Sequence, residues 1–291
     1  MIKHPQWKKQ FGGFDLVART AERPRTIVRV AGLAIGGGSF VVMAGPCAVE
    51  SERQLLETAE AVAAVGARVL RGGAYKPRSS PYSFQGLGVE ALKLLRKAGQ
   101  QTGLAVVTEV MSEEDVETVA EYADIMQVGS RSMENYSLLE ALGRCGRPVL
   151  LKRGMTARLE ELLDSAQVIA AAGNPDIILC ERGIRTFETA TRNTLDIAAV
   201  PVLQAVSHLP VIVDPSHAAG VRSLVPVLAR AAAVVGADGV LVEVHPAPEQ
   251  ALSDGIQSLT FDEFAEMVRD LRRYVPISER PVPSILQGVR A

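Results

Sequence analysis

Eight short apolar runs of β-type composition alternate with helix-patterned segments along this chain, and each run ends at or just before a charged or metal-binding side chain. The runs end at Cys47, Arg71, Glu109, Arg131, Lys152, Arg182, His217 and Glu243. Strands that alternate with helices in this way are typical of βαβ units around a parallel sheet. Eight such units close a (β/α)8 barrel, in which the C-terminal ends of all strands open onto one catalytic face. The sequence therefore predicts an α/β fold, a TIM barrel with a polar functional face.

The segments between the runs are predicted to be helices, and they cover 51–65, 87–101, 112–122, 134–144, 157–172, 186–199, 222–235 and 260–274. Apolar residues alternate on both sides of Gly36-Gly37-Gly38, a pattern typical of a β-hairpin turn. Such a hairpin would lead into the first barrel strand and cap the N-terminal mouth of the barrel. The predicted division is an N-terminal arm and hairpin, the catalytic barrel and a C-terminal tail, at 1–39, 40–275 and 276–291.

Length and composition agree with one enzyme domain. The chain has 291 residues, and a barrel of this kind needs about 250. With 31 Lys and Arg against 33 Asp and Glu, no strong basic field is present to attract nucleic acid. No apolar run has membrane-spanning length and no signal peptide is recognisable, so we expect a cytoplasmic protein without a membrane partner. Three cysteines cannot all pair, and reduced thiols suit that compartment.

Four side chains near the ends of the first, seventh and eighth runs could hold a metal ion. They are one thiol, one imidazole and two carboxylates, namely Cys47, His217, Glu243 and Asp254. Structural zinc sites are normally built from cysteine and histidine, so this mixed set suits a first-row divalent ion with an open coordination position. The alternative for Cys47, taken alone, is a small buried hydrophobic residue.

The other cysteines and two more histidines fit simpler interpretations. Cys145 and Cys180 lie in a helix end and a strand, where a buried hydrophobic role is expected. His245 is either a fifth ligand or, more often at such a position, a group behind the ligands. His208 precedes the seventh strand, at the face of a barrel that serves stability, so we expect a structural role.

Six cationic residues at or just beyond the run ends form a second candidate group, namely Arg71, Lys76, Arg78, Arg131, Lys152 and Arg182. A cation at a strand end costs desolvation energy unless it has an anionic partner. Salt bridges to Glu50, Glu109 and Glu181 are one alternative. Six converging cations fit better with substrates that carry several anionic groups, since Arg binds phosphate or carboxylate through two donors and Lys as a point charge. The group predicts two phosphorylated substrates, one of them also a carboxylate.

The segment GGAYKPRSSPYSFQGLG, residues 72–88, predicts a rigid binding loop. Two prolines stiffen it, and Ser79 and Ser80 add hydroxyl and backbone donors beside Arg78, which is what a terminal phosphate needs. The alternative is a solvated loop, against which its length and its stiff composition argue.

Several of these motifs together resemble a known enzyme family. GPCAVES, LRGGAYKPRSSPYSFQGLG, VGSRSMENYSLL, ILCERGIRTFE, DPSHAAG and VEVHPAPEQALSDGIQSL, spread from about residue 26 to 275, are similar to 3-deoxy-D-arabino-heptulosonate-7-phosphate (DAHP) synthases of type I. The resemblance is to the short form that lacks an N-terminal regulatory domain. It implies a barrel, a homodimer or homotetramer, and condensation of phosphoenolpyruvate with erythrose 4-phosphate, the first step of the shikimate pathway to aromatic amino acids.

The resemblance also implies a role for each motif residue. One divalent metal ion per subunit, such as Mn, Fe, Co or Zn, would be held by Cys47, His217, Glu243 and Asp254. Phosphoenolpyruvate would be held by Arg71, Lys76, Ser130, Arg131, Lys152 and Arg182, with Glu109 positioning a water and His217 and Asp254 also facing substrate. Arg78 and Ser79 would take the aldose phosphate. Lys76 is our candidate for proton transfer, so the predicted catalytic set is Cys47, Lys76, Glu109 and His217. Similar enzymes often have Thr at the position of Ser79 and Ala at that of Ser130, changes from which we expect little effect.

Three alternatives remain at this point. A 3-deoxy-octulosonate 8-phosphate synthase would use arabinose 5-phosphate, but its loop typically has one more residue between Lys and Arg than Lys76-Pro77-Arg78. A Schiff-base aldolase would use Lys152. A catalytically silent barrel would bind phosphorylated metabolites and regulate a partner. Residues 1–25 are too short for the extra domain of feedback-controlled relatives, so we expect no inhibition of this chain alone by an aromatic amino acid.

Overall fold

The computed structural model describes residues 5–76, Tyr82 and 84–276, and its centre is a closed barrel of eight parallel strands. The chain begins with helix α1 (Pro5–Gln10) and the antiparallel strands β1 (Val28–Val30) and β2 (Leu33–Ile35). The barrel strands are β3 (Val41–Gly45), β4 (Val69–Arg71), β5 (Ala105–Glu109), β6 (Ile125–Val128), β7 (Val149–Lys152), β8 (Ile177–Glu181), β9 (Val211–Val213) and β10 (Gly239–Glu243). They follow chain order around the barrel, which closes where β10 pairs with β3. The predicted (β/α)8 architecture is confirmed.

Helices separate the barrel strands. They are α2 (Glu52–Val65), α3 (Val89–Thr102), α4 (Val116–Tyr122), α5 (Tyr136–Arg144), α6 (Leu159–Ala171), α7 (Ala199–Val206), α8 (Pro215–Ala219), α9 (Val225–Val234) and α10 (Phe261–Leu271). Their starts follow from local sequence. The Ser51 side chain accepts a hydrogen bond from Gln54 N at the start of α2, and Thr260 and Glu263 form a reciprocal capping box at the start of α10.

The predicted helix at 186–199 is wrong. This segment is a loop after β8, and the helix of this unit is α7, which begins at Ala199. Local polar contacts compete with helix formation here. Glu188 Oε1 accepts hydrogen bonds from two backbone N–H groups that follow it, and the hydroxyl groups of Thr186 and Thr194 lie 2.7 Å apart. The loop instead closes through a backbone pairing of Ile184 with Thr194.

The N-terminal hairpin exists, but its turn is not at the predicted glycines. The turn between β1 and β2 lies at Ala31-Gly32, where both residues have positive φ, as the preferred two-residue hairpin turn requires. Gly36 follows β2 and has φ of 89°; a Cβ there would lie 2.6 Å from the Thr26 carbonyl oxygen, so this position needs glycine for close backbone approach.

The hairpin packs into the barrel from the N-terminal side. Val28, Leu33 and Ile35 are buried and belong to the same hydrophobic cluster as the inward-facing residues of all eight barrel strands. Apolar surface at the strand starts is thereby removed from water, which stabilises the barrel. This agrees with the predicted cap.

Inward-facing residues follow a two-residue period, and in most of the strands they change from apolar to charged toward the C-terminal end. In β8 the inner positions are Ile178 and Cys180, and the next in the series is Arg182. In β10 the inner Leu241 is followed by Glu243. The period therefore delivers the charged side chains to the C-terminal mouth of the barrel while the N-terminal half stays apolar.

The arm before the hairpin is docked against the barrel. Phe11, Phe14 and Val17 are buried in the outer core, and His208 donates its backbone N–H to the Val17 carbonyl. The His208 ring lies between Thr26 Oγ1 at 2.7 Å and the Leu16 carbonyl at 2.9 Å, on the face opposite the charged mouth. These contacts agree with the structural role predicted for His208.

No helix in the described part of the chain is long and apolar enough to cross a membrane. The predicted tail falls almost entirely outside the described residues, as do Arg78, Ser79 and Ser80 of the predicted binding loop.

Candidate active site

A cleft of about 740 Å³, including its open mouth, lies at the C-terminal ends of the barrel strands. Its lining is mostly polar and consists of Arg71, Lys76, Glu109, Gln127, Gly129, Ser130, Arg131, Lys152, Met155, Arg182, Arg192, His217 and Asp254. We call it the anion cleft. The described residues predicted to bind substrate all line it.

Beneath one end of the anion cleft lies a set of side chains that could hold a metal ion. Ligand atoms of Cys47, Glu243 and Asp254 all lie within 4.8 Å of one another. Cys47 Sγ is 3.3 Å from Asp254 Oδ2. His217 Nε2 is 3.4 Å from Glu243 Oε1 and 3.9 Å from Asp254 Oδ2. We call these four residues the ligand cluster; the predicted metal ligands are brought together.

The chemistry of the ligand cluster fits a bound cation. Metal–ligand bonds of about 2.0–2.3 Å place neighbouring ligand atoms roughly 3–4 Å apart, as observed here. Burial, together with the nearby carboxylates of Glu243 and Asp254, raises the pKa of Cys47 to about 12 against the opposing effect of Lys76 and Arg71. The protein alone therefore does not favour the thiolate, and a divalent ion at this point would supply the missing positive charge.

The backbone conformation of Asp254 determines where its carboxylate lies. Asp254 has φ of 52°, a left-handed conformation that few residues other than glycine adopt, although Asp and Asn tolerate it. It precedes the short 3₁₀ helix Gly255–Gln257, which turns the chain back toward β10. This conformation presents the Asp254 carboxylate to Cys47.

Asp214 was missed by the sequence reasoning, although it joins the two halves of the site. Its Oδ2 atom accepts hydrogen bonds from Lys152 Nζ at 2.6 Å and from His217 Nδ1 at 2.7 Å. Burial would raise the pKa of Asp214, but His217 and Lys152 outweigh burial and hold it well below its usual range. The inward period of β9 was the available signal, because Asp214 is two residues beyond the inner Ile212.

Two arginines in the cleft retain buried donors without a partner among the described residues. Arg71 Nη1 donates to Glu243 Oε1 at 3.0 Å and to the Pro46 carbonyl at 2.8 Å, but its Nε has no acceptor. Arg182 Nε is likewise unsatisfied, and burial lowers the pKa of Arg182. Buried donors normally find acceptors, so both guanidinium groups indicate an anionic ligand in the cleft.

The salt bridges considered from the sequence are not the ones that form. Glu181 pairs with Arg153, and Glu50 lies 3.3 Å from His245 Nε2. The Glu109 carboxylate instead accepts from Gln127 Nε2 at 3.4 Å, and a side chain at Gly129 would collide with it. The three acidic residues considered as partners therefore have other partners, and of the cleft cations Arg71 pairs with Glu243 and Lys152 with Asp214.

His245 does not join the ligand cluster. Its Nδ1 accepts the Ala247 backbone N–H at 3.1 Å, and its Nε2 faces Glu50. Glu50 also accepts the Leu252 backbone N–H at 2.8 Å. This pair holds the loop that leads from β10 to Asp254, in agreement with a place behind the ligands.

Arg192 and Gln257 were also missed. Arg192 Nη1 donates to Asp254 Oδ1 at 3.3 Å and to Gln257 Oε1 at 3.0 Å. Gln257 Nε2 in turn donates to Glu243 Oε2 at 2.6 Å. These contacts hold both carboxylates of the ligand cluster. Arg192 escaped notice because its segment was assigned to a helix directed away from the site.

Residues 18–276 match the sequence profile of the DAHP synthetase I family. The chain belongs to this family. The barrel, the ligand cluster and the described part of the anion cleft all lie inside the matched range, so the resemblance carried by the motifs is confirmed, and the chain is a DAHP synthase-family enzyme.

Among its relatives is the phospho-2-dehydro-3-deoxyheptonate aldolase of Thermotoga maritima, which is 55% identical over 260 residues, 89% of this chain and 77% of the relative. A crystal structure of the Thermotoga maritima DAHP synthase has a TM-score of 0.88 and 53% identity, and the match covers 90% of this chain and 78% of that one. The structure of a truncated form of the Thermotoga maritima enzyme has a TM-score of 0.85 and 50% identity. That match covers 91% of this chain and 99% of the truncated one. A 2-dehydro-3-deoxyphosphooctonate aldolase of Acidithiobacillus ferrooxidans is more distant, at 35% identity over 80% of this chain.

Proposed function

We propose that this DAHP synthetase I family member condenses phosphoenolpyruvate with erythrose 4-phosphate to give DAHP and inorganic phosphate. The observation that carries the proposal is the meeting, in one cleft, of a largely buried thiol–carboxylate cluster with two buried arginines, Arg71 and Arg182, whose Nε donors have no partner among the described residues. One part suits a divalent ion and the other suits phosphate and carboxylate groups.

We assign Cys47, His217, Glu243 and Asp254 as the ligands of one divalent metal ion, such as Mn, Fe, Co or Zn. Such an ion would supply Lewis acidity toward a carbonyl oxygen or a bound water. The cluster's own residues support the assignment because Glu243 is almost completely buried while Asp254 and His217 also line the open cleft. A substrate oxygen in the cleft would therefore lie next to the ion.

We assign the phosphate and carboxylate of phosphoenolpyruvate to the cations of the anion cleft, with Ser130 beside them. The group consists of Arg71, Lys76, Arg131, Lys152 and Arg182. Their fixed positions at strand ends would hold the enol double bond in one orientation, which lowers the entropic cost of reaction. Glu109, held by Gln127, is assigned to orient the water that adds to carbon 2.

In the proposed reaction, carbon 3 of phosphoenolpyruvate bonds to the aldehyde carbon and water oxygen bonds to carbon 2. The bond between carbon 2 and the phosphate oxygen then breaks, and phosphate leaves with that electron pair. The added water loses both of its protons as carbon 2 becomes a carbonyl; the aldehyde oxygen takes up one of them and the departing phosphate takes up the other. Lys76 is our candidate for the proton donor at the aldehyde oxygen, because its stem lies across Gly73 beside Cys47 and it lines the cleft.

The assignment of the aldose phosphate to Arg78 and Ser79 rests on sequence, since both lie outside the described residues. A homodimer or homotetramer and the division at 1–39, 40–275 and 276–291 likewise remain predictions from the sequence.

The geometry does not favour a Schiff-base aldolase. Lys152 Nζ lies 2.6 Å from Asp214 Oδ2 in a buried ion pair, and an amine held in this way is not free to attack a carbonyl.

One assay tests the proposed function. The EDTA-treated protein is incubated with phosphoenolpyruvate and either erythrose 4-phosphate or arabinose 5-phosphate, single divalent metals are added back, and loss of the enolpyruvate absorbance is followed together with phosphate release. We expect turnover only with metal and with a strong preference for the four-carbon aldose. A preference for arabinose 5-phosphate would favour the octulosonate reaction, and no turnover with either aldose would favour a silent barrel.

A further inference from the structure

We propose that Asp214 is a positioning residue that couples the metal site to the phosphoenolpyruvate site, through one carboxylate that holds His217 and Lys152 together. The inference rests on the proposed function, because it requires both ligands to bind where assigned. Asp214 is fully buried and faces Nδ1 of His217, whereas Glu243 and Asp254 face Nε2 of the same ring. It therefore acts through its neighbours.

Asp214 fixes the orientation of His217. Its Oδ1 accepts the His217 backbone N–H at 2.9 Å as the N-cap of α8, and its Oδ2 lies 2.7 Å from Nδ1 of the same residue. A carboxylate at Nδ1 keeps the proton on that nitrogen and leaves the lone pair on Nε2. Nε2 points to Glu243 and Asp254, so the tautomer and the ring angle needed for metal binding are set before any ion arrives.

The same oxygen also holds Lys152. Lys152 is 4% exposed and its Nζ lies 2.6 Å from Asp214 Oδ2. An ammonium group carries three donors, and Asp214 is the one acceptor recorded for it among the described residues. The remaining donors are available to an anion, because Lys152 lines the anion cleft.

Sharing of one oxygen makes the two sites interdependent. A cation on His217 Nε2 polarises the ring and strengthens the bond from Nδ1 to Asp214, which weakens the hold of Asp214 on Lys152 and frees Lys152 for an anion. By linkage, an anion that draws Lys152 away strengthens His217 as a ligand by the same factor. Metal and phosphoenolpyruvate should therefore each tighten the binding of the other.

Asp214→Asn tests the inference, with Asp238→Asn as the matched control. Asp238 is also buried and accepts the Val211 backbone N–H at 2.8 Å, but it directly precedes β10 and lies at the N-terminal face of the barrel, opposite the cleft. Calorimetric titration of EDTA-treated protein gives the dissociation constant of Mn²⁺ with and without phosphoenolpyruvate, and that of phosphoenolpyruvate with and without Mn²⁺. Circular dichroism checks that each variant is folded.

In the wild type we expect each ligand to tighten the other by roughly 5- to 150-fold. Asp214→Asn should weaken Mn²⁺ binding about 10- to 100-fold, as for other residues that hold a ligating histidine. In this variant the factor by which each ligand tightens the binding of the other should fall to about one. Asp238→Asn should leave affinities and coupling at wild-type values. A general structural role would not separate the two variants in this way.

A second variant keeps the inference falsifiable if Asp214→Asn does not fold. Lys152→Met removes the other partner of Asp214 and should abolish the effect of phosphoenolpyruvate on Mn²⁺ affinity without weakening Mn²⁺ binding itself. Retention of wild-type coupling in either folded variant overturns the inference while leaving the proposed function intact. A wild-type protein that binds neither Mn²⁺ nor phosphoenolpyruvate overturns both.

Discussion

Single residues at the strand ends have close contacts that leave little room for substitution. The Glu109 carboxylate occupies the space that a Cβ at Gly129 would need, so the carboxylate can lie at this point only because residue 129 is glycine. Gly73 likewise leaves room for the aliphatic part of the Lys76 side chain, whose Cδ and Cε would lie 3.2 Å from an added Cβ. Two glycines that take no part in the reaction thus determine where the side chains of Lys76 and Glu109 lie.

Gly129→Ala should therefore lower kcat/KM by roughly 10- to 100-fold, because the added methyl group displaces the Glu109 carboxylate from the cleft. Mn²⁺ affinity should stay unchanged, since Glu109 is not part of the ligand cluster. Steady-state kinetics and metal titration measure the two quantities. Gly13→Ala is the control, because nothing lies within 4 Å of its added Cβ. Full activity of Gly129→Ala would show that Glu109 has no role in turnover.

The elements divide into those that local sequence determines and those that tertiary contacts determine. The starts of α2 and α10 follow from their capping residues and were predictable within one or two residues. The loop at 186–198 was mistaken for a helix, because its apolar spacing is helical while its Thr and Glu side chains bind the backbone. The hairpin turn was misplaced because three glycines in a row masked the shorter turn at Ala31-Gly32.

Docking of the N-terminal arm predicts a pH dependence of stability. Burial lowers the pKa of His208 below its ordinary value of 6.5, although the bond to the Leu16 carbonyl opposes the shift. The folded protein therefore binds fewer protons at this residue than the unfolded chain does. The stability contributed by neutral His208 is present above pH 6.5 and is lost as the pH falls through that value.

We expect the free energy of unfolding of the wild type to fall more steeply between pH 7.5 and 5.5 than that of His208→Gln, which keeps one donor and one acceptor but cannot titrate. Urea unfolding at several pH values measures the difference. Equal slopes for the two proteins would mean that the arm docks without a contribution from His208 protonation.

The whole molecule distributes stability and function between the two ends of one barrel. The hairpin and the apolar inner residues fill the N-terminal half, and the charged side chains occupy the C-terminal half. Arg71 and Arg192 pair with the two carboxylates of the ligand cluster, but the buried Cys47 thiol beside them needs a further cation to ionise. A bound metal should therefore stabilise the entire fold, since it binds the native state alone.

At a metal concentration of about 100 times the dissociation constant, we expect the free energy of unfolding to rise by about 2.7 kcal/mol. Thermal unfolding of EDTA-treated protein with and without Mn²⁺ measures the effect. Cys47→Ala should lose the stabilisation, the bound metal and the activity together, whereas Cys145→Ala, whose thiol bonds to the Leu142 carbonyl away from the site, should keep all three. A fully active Cys47→Ala protein would remove Cys47 from the site.

By itself the sequence determined the eight strand–helix units, the polar strand ends and the set of candidate ligands, because hydrophobic period and residue type are local properties of a chain. Only the tertiary structure decided which charges meet. Lys152 and Asp214 are 62 positions apart, and Arg71 and Glu243 are 172 apart. Their contacts exist because β10 pairs with β3 and closes the barrel, which brings distant strand ends to one mouth. Spacing along the chain cannot specify that closure, since it depends on the register of all eight strands together.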